Sequence, residues 1–124
     1  MINNLGSMLS VRPIFHTNSY ASHRVVTLGH FYFTKLLLPV LFAAKNPRVV
    51  NLTSAGHLLL KKDLDYETFK DCPKRRQTDL LELYNQSKFA NVVIAKEFAR
   101  RYADQGIVST SLHPGMFLVC IWFG

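Results

Sequence analysis

The run Arg48-Val49-Val50-Asn51-Leu52-Thr53-Ser54-Ala55-Gly56-His57 decides how the rest of the chain is read. Its first half is short, rich in β-branched residues and preceded by the turn signal Asn46-Pro47, so it reads as a buried strand. Its second half is small and polar, a loop leaving the strand's carboxyl end. Before it lies a strongly apolar stretch, Ala21 to Ala44, carrying Leu28, Phe31, Leu36, Leu38 and Leu41, with the length of a buried helix. Pro39 should kink or tighten that helix's last turns. After it, His57 to Asp79 is a charged insertion with a short helix expected near Tyr66 to Lys70. The strongest helix follows, from about Asp79 to Asp104. There Ala90, Val93, Ile94 and Phe98 recur at helical spacing, and Lys96, Arg100 and Arg101 take the solvated side. Gly106 stops it, and Ile107 to Leu112 form a second β-rich run ending at His113-Pro114-Gly115. Met1 to Gly6 reads as a strand end entering a glycine turn, and Ser7 to Ser22 as loop.

Strand end, helix, strand, helix, strand is the order of an α/β fold: a partial, Rossmann-like parallel sheet with crossover helices. Ligands of such sheets bind in the crevice beyond the strands' carboxyl ends. Ser54 and His113-Pro114-Gly115 directly follow strands and should face that crevice.

Composition narrows the function classes. A chain of 124 residues, 48% hydrophobic, has room for one domain with a real core. A charged fraction of 19% and nine Phe argue against disorder. The net charge is +7, but Lys74-Arg75-Arg76 is the one tight basic run, and no stacking aromatics interleave with it. It reads as a solvated loop, and no nucleic-acid partner is expected. Cys72 and Cys120 lie far apart and suit free thiols in a reducing compartment. Neither they nor the five His show metal-ligand spacing, so no metal is expected. Met1 to Ser10 lacks the basic start of a secretory signal. The apolar stretches Phe31 to Ala44 and Met116 to Phe123 fall short of the ~20 residues of a membrane span. The expectation is a soluble, cytoplasmic protein.

Tyr84 and Lys88 stand four apart on the best helix, which puts phenol and ammonium on one face. A cation beside a phenol favours the phenolate, and that is how a tyrosine becomes a usable general acid/base. The pair alone is a common accident of helices. Ser54, on a strand-exit loop, can donate to a substrate carbonyl oxygen; taken alone it reads as a turn cap. What gives these residues weight is that Asn3-Asn4-Leu5-Gly6, Thr53-Ser54, Tyr84-Asn85-Gln86-Ser87-Lys88 and Pro114-Gly115 occur in one order, each on a fitting element.

In that order the chain resembles the short-chain dehydrogenase/reductase superfamily, in its retinol-dehydrogenase-like and WW-domain-oxidoreductase-like branch. The resemblance rests on Leu28-Gly29-His30-Phe31 with Thr34 to Pro39, on Arg48 to His57, on Leu83 to Ala90 and on Ser109 to Gly115. It implies a single NAD(P)-binding domain over residues 1–124, lacking the N-terminal part of the sheet. It implies reversible hydride transfer between NAD or NADP and a lipophilic alcohol, aldehyde or ketone. Tyr84 would exchange the proton, Lys88 would assist it and hold the nicotinamide ribose, and Ser54 would orient the substrate oxygen. Asn3 and Gly6 would line the adenine-ribose side of the cofactor groove, and Pro114 and Gly115 the nicotinamide side. It also implies assembly, with itself or a longer homologue, through helices 21–44 and 79–104.

Three departures stand beside the matches. No glycine-rich turn for the pyrophosphate is present. The family's catalytic asparagine falls on Val26, and its carboxamide-binding threonine on Val119. These departures make a non-catalytic family fragment, associating with a full-length homologous subunit, the alternative. They also predict that the isolated chain binds NAD(P)H weakly or not at all. Calorimetric titration checks this, and nanomolar-to-micromolar affinity would contradict it.

Overall fold

The structure is a computed structural model, and it describes residues 2–3, 24–60 and 63–115. Three parallel strands form its sheet: β1 (Ile2–Asn3), β2 (Arg48–Leu52) and β3 (Val108–Leu112), in the order β1-β2-β3. Asn3 pairs with Asn51, and Leu52 with Leu112, so the carboxyl ends of all three strands share one edge. The fold is the partial Rossmann-like α/β arrangement expected. Gly6, Val119 and Cys120 lie outside the described residues, as does the stretch 7–22.

The apolar stretch before β2 is helical but not one helix. A π-helical segment, Arg24–Gly29, leads into α1 (His30–Leu36), and α2 (Leu38–Ala43) follows. The break falls at Leu37, two residues before Pro39, which occupies the first turn of α2, where its missing N–H costs least. The long helix is α4 (Leu80–Tyr102), preceded by α3 (Pro73–Gln77) and extended by a 3-10 turn, Ala103–Gln105. It ends at Gly106, whose φ of +79° is left-handed, the conformation a helix-stopping glycine supplies.

Burial alternates along β2 as pleating requires, with Val49 and Asn51 inward. Val49 joins Leu38, Phe98 and Ile107 in the core, flanked by Leu41, Ile94 and Tyr102. The Phe98 ring meets Phe31 edge-on at 5.8 Å and Tyr102 at 5.4 Å, which joins the helices before and after β2 on one face of the sheet. Val93, expected on the buried face of α4, is exposed.

The insertion is better ordered than its charge suggests. A 3-10 turn, Tyr66–Phe69, and α3 lie within it. The Lys74-Arg75-Arg76 run is not a solvated loop. Lys74 pairs with Asp65 and Glu67, and Arg76 grips Asp71 with two hydrogen bonds. Arg75 is buried, with its guanidinium donating to the Thr68 carbonyl. The sequence carried no period for a five-residue helix, so α3 went unseen.

Phe98 carries the core's aromatic contacts and is 4% exposed. Phe98→Ala should cost about 3–5 kcal/mol in urea denaturation, as for other buried aromatics.

Candidate active site

The first half of α4 is unusual for a helix: Asn85, Gln86, Ser87 and Lys88 are polar, consecutive and all buried. Consecutive positions point round the whole cylinder, so the helix must be enclosed at this turn. Each side has its own partner. Gln86 Oε1 accepts from the Asp65 backbone N–H and the Thr68 hydroxyl, which docks the insertion. The Ser87 carbonyl accepts from Thr27 Oγ1 at 3.2 Å, which docks the π-helical segment. The Lys88 carbonyl accepts from Thr53 Oγ1 at 2.8 Å, which docks the loop after β2.

Thr53 does more than dock that loop. Its backbone N–H donates to the Leu112 carbonyl at 2.9 Å, extending the β2–β3 ladder past the strand end. One residue therefore ties both strand exits to α4. Ser54 follows it and caps the 3-10 turn Ala55–Leu58, with its Oγ accepting from Gly56 N–H at 3.1 Å. His57 closes the same turn through a hydrogen bond from Nδ1 to the Ser54 carbonyl. A Cβ on Gly56 would stand 2.3 Å from Asn85 Oδ1 and 3.0 Å from Ser54 Oγ. Only glycine allows so close an approach, and it brings the Ser54 turn against the neighbour of Tyr84.

Tyr84 is half-buried, and the Lys88 ammonium lies 5.8 Å from its ring centroid, within cation–π range. Lys88 is 6% exposed, and burial pushes its pKa below the usual lysine value. Among the described residues no carboxylate forms an ion pair with it. Pro114 and Gly115 are exposed beyond β3, with Gly115 at a φ of +92° that only glycine adopts freely. Asn3 ends β1 at the level of Asn51. Thr53 and Gly56 thus bring together the Ser54 turn, the Asn85–Lys88 turn of α4 and the end of β3 at the sheet's carboxyl edge. The concavity in the insertion between Tyr66 and Lys74, about 740 Å³, includes none of them. Among the described residues no group of His, Cys, Asp or Glu could hold a metal ion.

The chain is similar to several known proteins. It is 41% identical over 120 residues to a short-chain dehydrogenase/reductase of Armillaria gallica, covering 93% of this chain and 38% of that protein. The chain belongs to the short-chain dehydrogenase/reductase family. It is 36% identical to retinol dehydrogenase 12 of Bos taurus, over 98% of this chain and 40% of the relative. With the WW domain-containing oxidoreductase of Gallus gallus it shares 33% identity, over 77% of this chain and 24% of the relative. The chain therefore spans well under half the length of these short-chain dehydrogenase/reductase relatives. No family profile matches it, and no solved structure is significantly similar.

Sequence reasoning missed Thr27, His30, Thr53 and Asn85, whose roles come from contacts distant in sequence. The available signal was chemical: Thr27, His30 and Thr34 are polar residues in an apolar stretch, and all three are buried. His30 has a lowered pKa, from burial first and from the Lys88 charge second.

Two predictions follow from this packing. Gly56→Ala should cost about 1–3 kcal/mol in chemical denaturation, because the Asn85 side chain must be displaced. His30 stays neutral in the fold, whereas the unfolded chain takes up a proton as pH falls below 6.5. Stability should therefore fall from that pH down to His30's lowered pKa, and His30→Gln should remove this part of the loss in urea titrations at stepped pH.

Proposed function

We propose that the chain contributes the acid/base end of an NAD(P)-dependent oxidoreductase that interconverts lipophilic alcohols with aldehydes or ketones. The observation that supports this reading is the packing of the Ser54 turn against Asn85, on the turn of α4 where Lys88 lies over the Tyr84 ring. A nicotinamide cofactor, when bound, supplies or accepts the hydride. The Tyr84 hydroxyl gives its proton to the carbonyl oxygen in reduction and takes it back in oxidation. The Ser54 hydroxyl donates to the same oxygen and orients it. Lys88 sets its positive charge over the Tyr84 ring, 5.8 Å from the ring centroid.

The residues present suit one end of the cofactor. A buried ammonium at Lys88 can donate to ribose hydroxyls, and Pro114-Gly115 offers a backbone free of bulk for a nicotinamide ring. Asn3 and Gly6 would serve the adenine-ribose side. Nothing in the sequence suits the pyrophosphate, since the glycines at 6, 29, 56, 106, 115 and 124 form no cluster. A cytoplasmic location goes with this reading, and the free Cys72 thiol supports it.

A second reading, a non-catalytic chain that pairs with a longer homologous subunit, is favoured by one observation. Tyr32 is 62% exposed, Leu36 60% and Val40 65%, a run of apolar surface along α1 and α2. Pairing through helices 21–44 and 79–104 would cover it. Leu36→Asp with Val40→Asp should then abolish co-sedimentation with a full-length homologous subunit, and unchanged co-sedimentation would contradict the pairing.

Catalysis is tested by NAD(P)H consumption with a long-chain aldehyde at millimolar cofactor. Slow turnover is expected, falling about 10²–10⁴-fold in Tyr84→Phe. Turnover indifferent to that change would refute the assignment of Tyr84.

A further inference from the structure

The turn that carries Ser54 is tied down at both its backbone and its side chain. The Ser54 carbonyl accepts twice from His57, from the backbone N–H at 3.1 Å and from ring Nδ1. The same Nδ1 stands 3.5 Å from Thr53 Oγ1, the hydroxyl that donates to the Lys88 carbonyl on α4 at 2.8 Å. Ser54 Oγ accepts from the Gly56 N–H at 3.1 Å. Among the described residues no acceptor takes the proton of the Ser54 hydroxyl.

These partners decide which ring nitrogen of His57 carries hydrogen. A carbonyl oxygen can accept but not donate, and Thr53 has already given its one hydroxyl proton to Lys88. Both partners therefore need a donor at Nδ1. A neutral imidazole has one N–H and one bare nitrogen, so Nδ1 is the N–H and Nε2 holds the lone pair. We propose that His57 is a positioning residue, whose Nδ1–H fixes the Ser54 backbone so that the Ser54 hydroxyl caps Gly56 and keeps its proton for the substrate oxygen. With the ring bond in place, Oγ holds the Gly56 N–H on a lone pair and its one proton faces no competing acceptor among the described residues. Without it, the Ser54 carbonyl keeps the backbone bond of the turn alone, and the side chain is freer to leave the rotamer that caps Gly56.

This role rests on reading Ser54 as the residue that orients the substrate oxygen, but two of its three tests need neither cofactor nor turnover. Imidazole nitrogen NMR of the full chain, with His57→Asn to assign the signal, should show hydrogen on Nδ1 and a bare Nε2 in the neutral ring. The opposite tautomer would overturn the proposal, and this measurement decides even where variants do not fold. Amide exchange at Gly56 reads the Ser54 cap. His57→Phe removes the ring donor and should speed that exchange about tenfold. His57→Asn places an N–H as many bonds from the backbone as Nδ1 and should return the rate toward the parent value. No change in His57→Phe, or equal change in both variants, would contradict the role. With a long-chain aldehyde and millimolar NAD(P)H, His57→Phe should lower kcat with KM little changed, since the lost bond forms at the reacting oxygen, and His57→Asn should recover it. A rise in KM with kcat unchanged would contradict the role. A chain without turnover that shows the expected tautomer and exchange pattern would fault the oxidoreductase reading alone.

Discussion

Everything placed at the edge of the sheet depends on enclosing four polar side chains of one helical turn, Asn85 to Lys88. A helix normally buries a stripe and leaves the rest to water. Here the turn is covered all round, so each covering element needs a hydrogen bond to justify displacing water. Thr27, Thr53, Asp65 and Thr68 provide those bonds. Gly56 closes the last side by bringing its backbone onto Asn85 where any side chain would collide. The same contacts bring the Ser54 turn against Asn85 and bury Lys88.

Much of the frame was legible in the sequence because it is written in local patterns. Arg48–Leu52 is bounded by a turn signal and enriched in β-branched residues, and it forms β2 over those residues. Gly106 stops α4 as a C-terminal glycine should, and Pro39 marks the disturbance between α1 and α2. The Tyr84–Lys88 spacing predicts phenol and ammonium on one side of α4, and the ammonium lies 5.8 Å from the ring centroid. What stayed hidden is carried by contacts between distant segments. Thr53 pins α4 through a partner 35 residues away, and Thr27 through one 60 residues away. Arg75 looked like solvated charge and is buried instead, because its guanidinium meets a carbonyl within the insertion.

The described residues leave two apolar areas on the surface. The helices cover the Val49 face of the sheet. By pleating, Val50 and Leu52 point to the opposite face, joined by the exposed Val108 and Leu112. All-parallel sheets are found covered on both faces. The exposed residues of α1 and α2 add a second apolar area. The basic surplus is partly spoken for, with Lys74, Arg76, Arg100 and Arg101 all held by carboxylates.

If enclosure of the Asn85–Lys88 turn organises the site, that turn must open together with the elements that cover it. Native-state hydrogen exchange of the full chain reads this directly. The amides of Lys88 to Asn91 should exchange at the same free energy as those of Val49 to Thr53 and Val108 to Leu112, as one cooperative unit. Exchange of the Asn85–Asn91 amides at the rate of a frayed, solvent-exposed helix, with β2 and β3 still protected, would contradict the account.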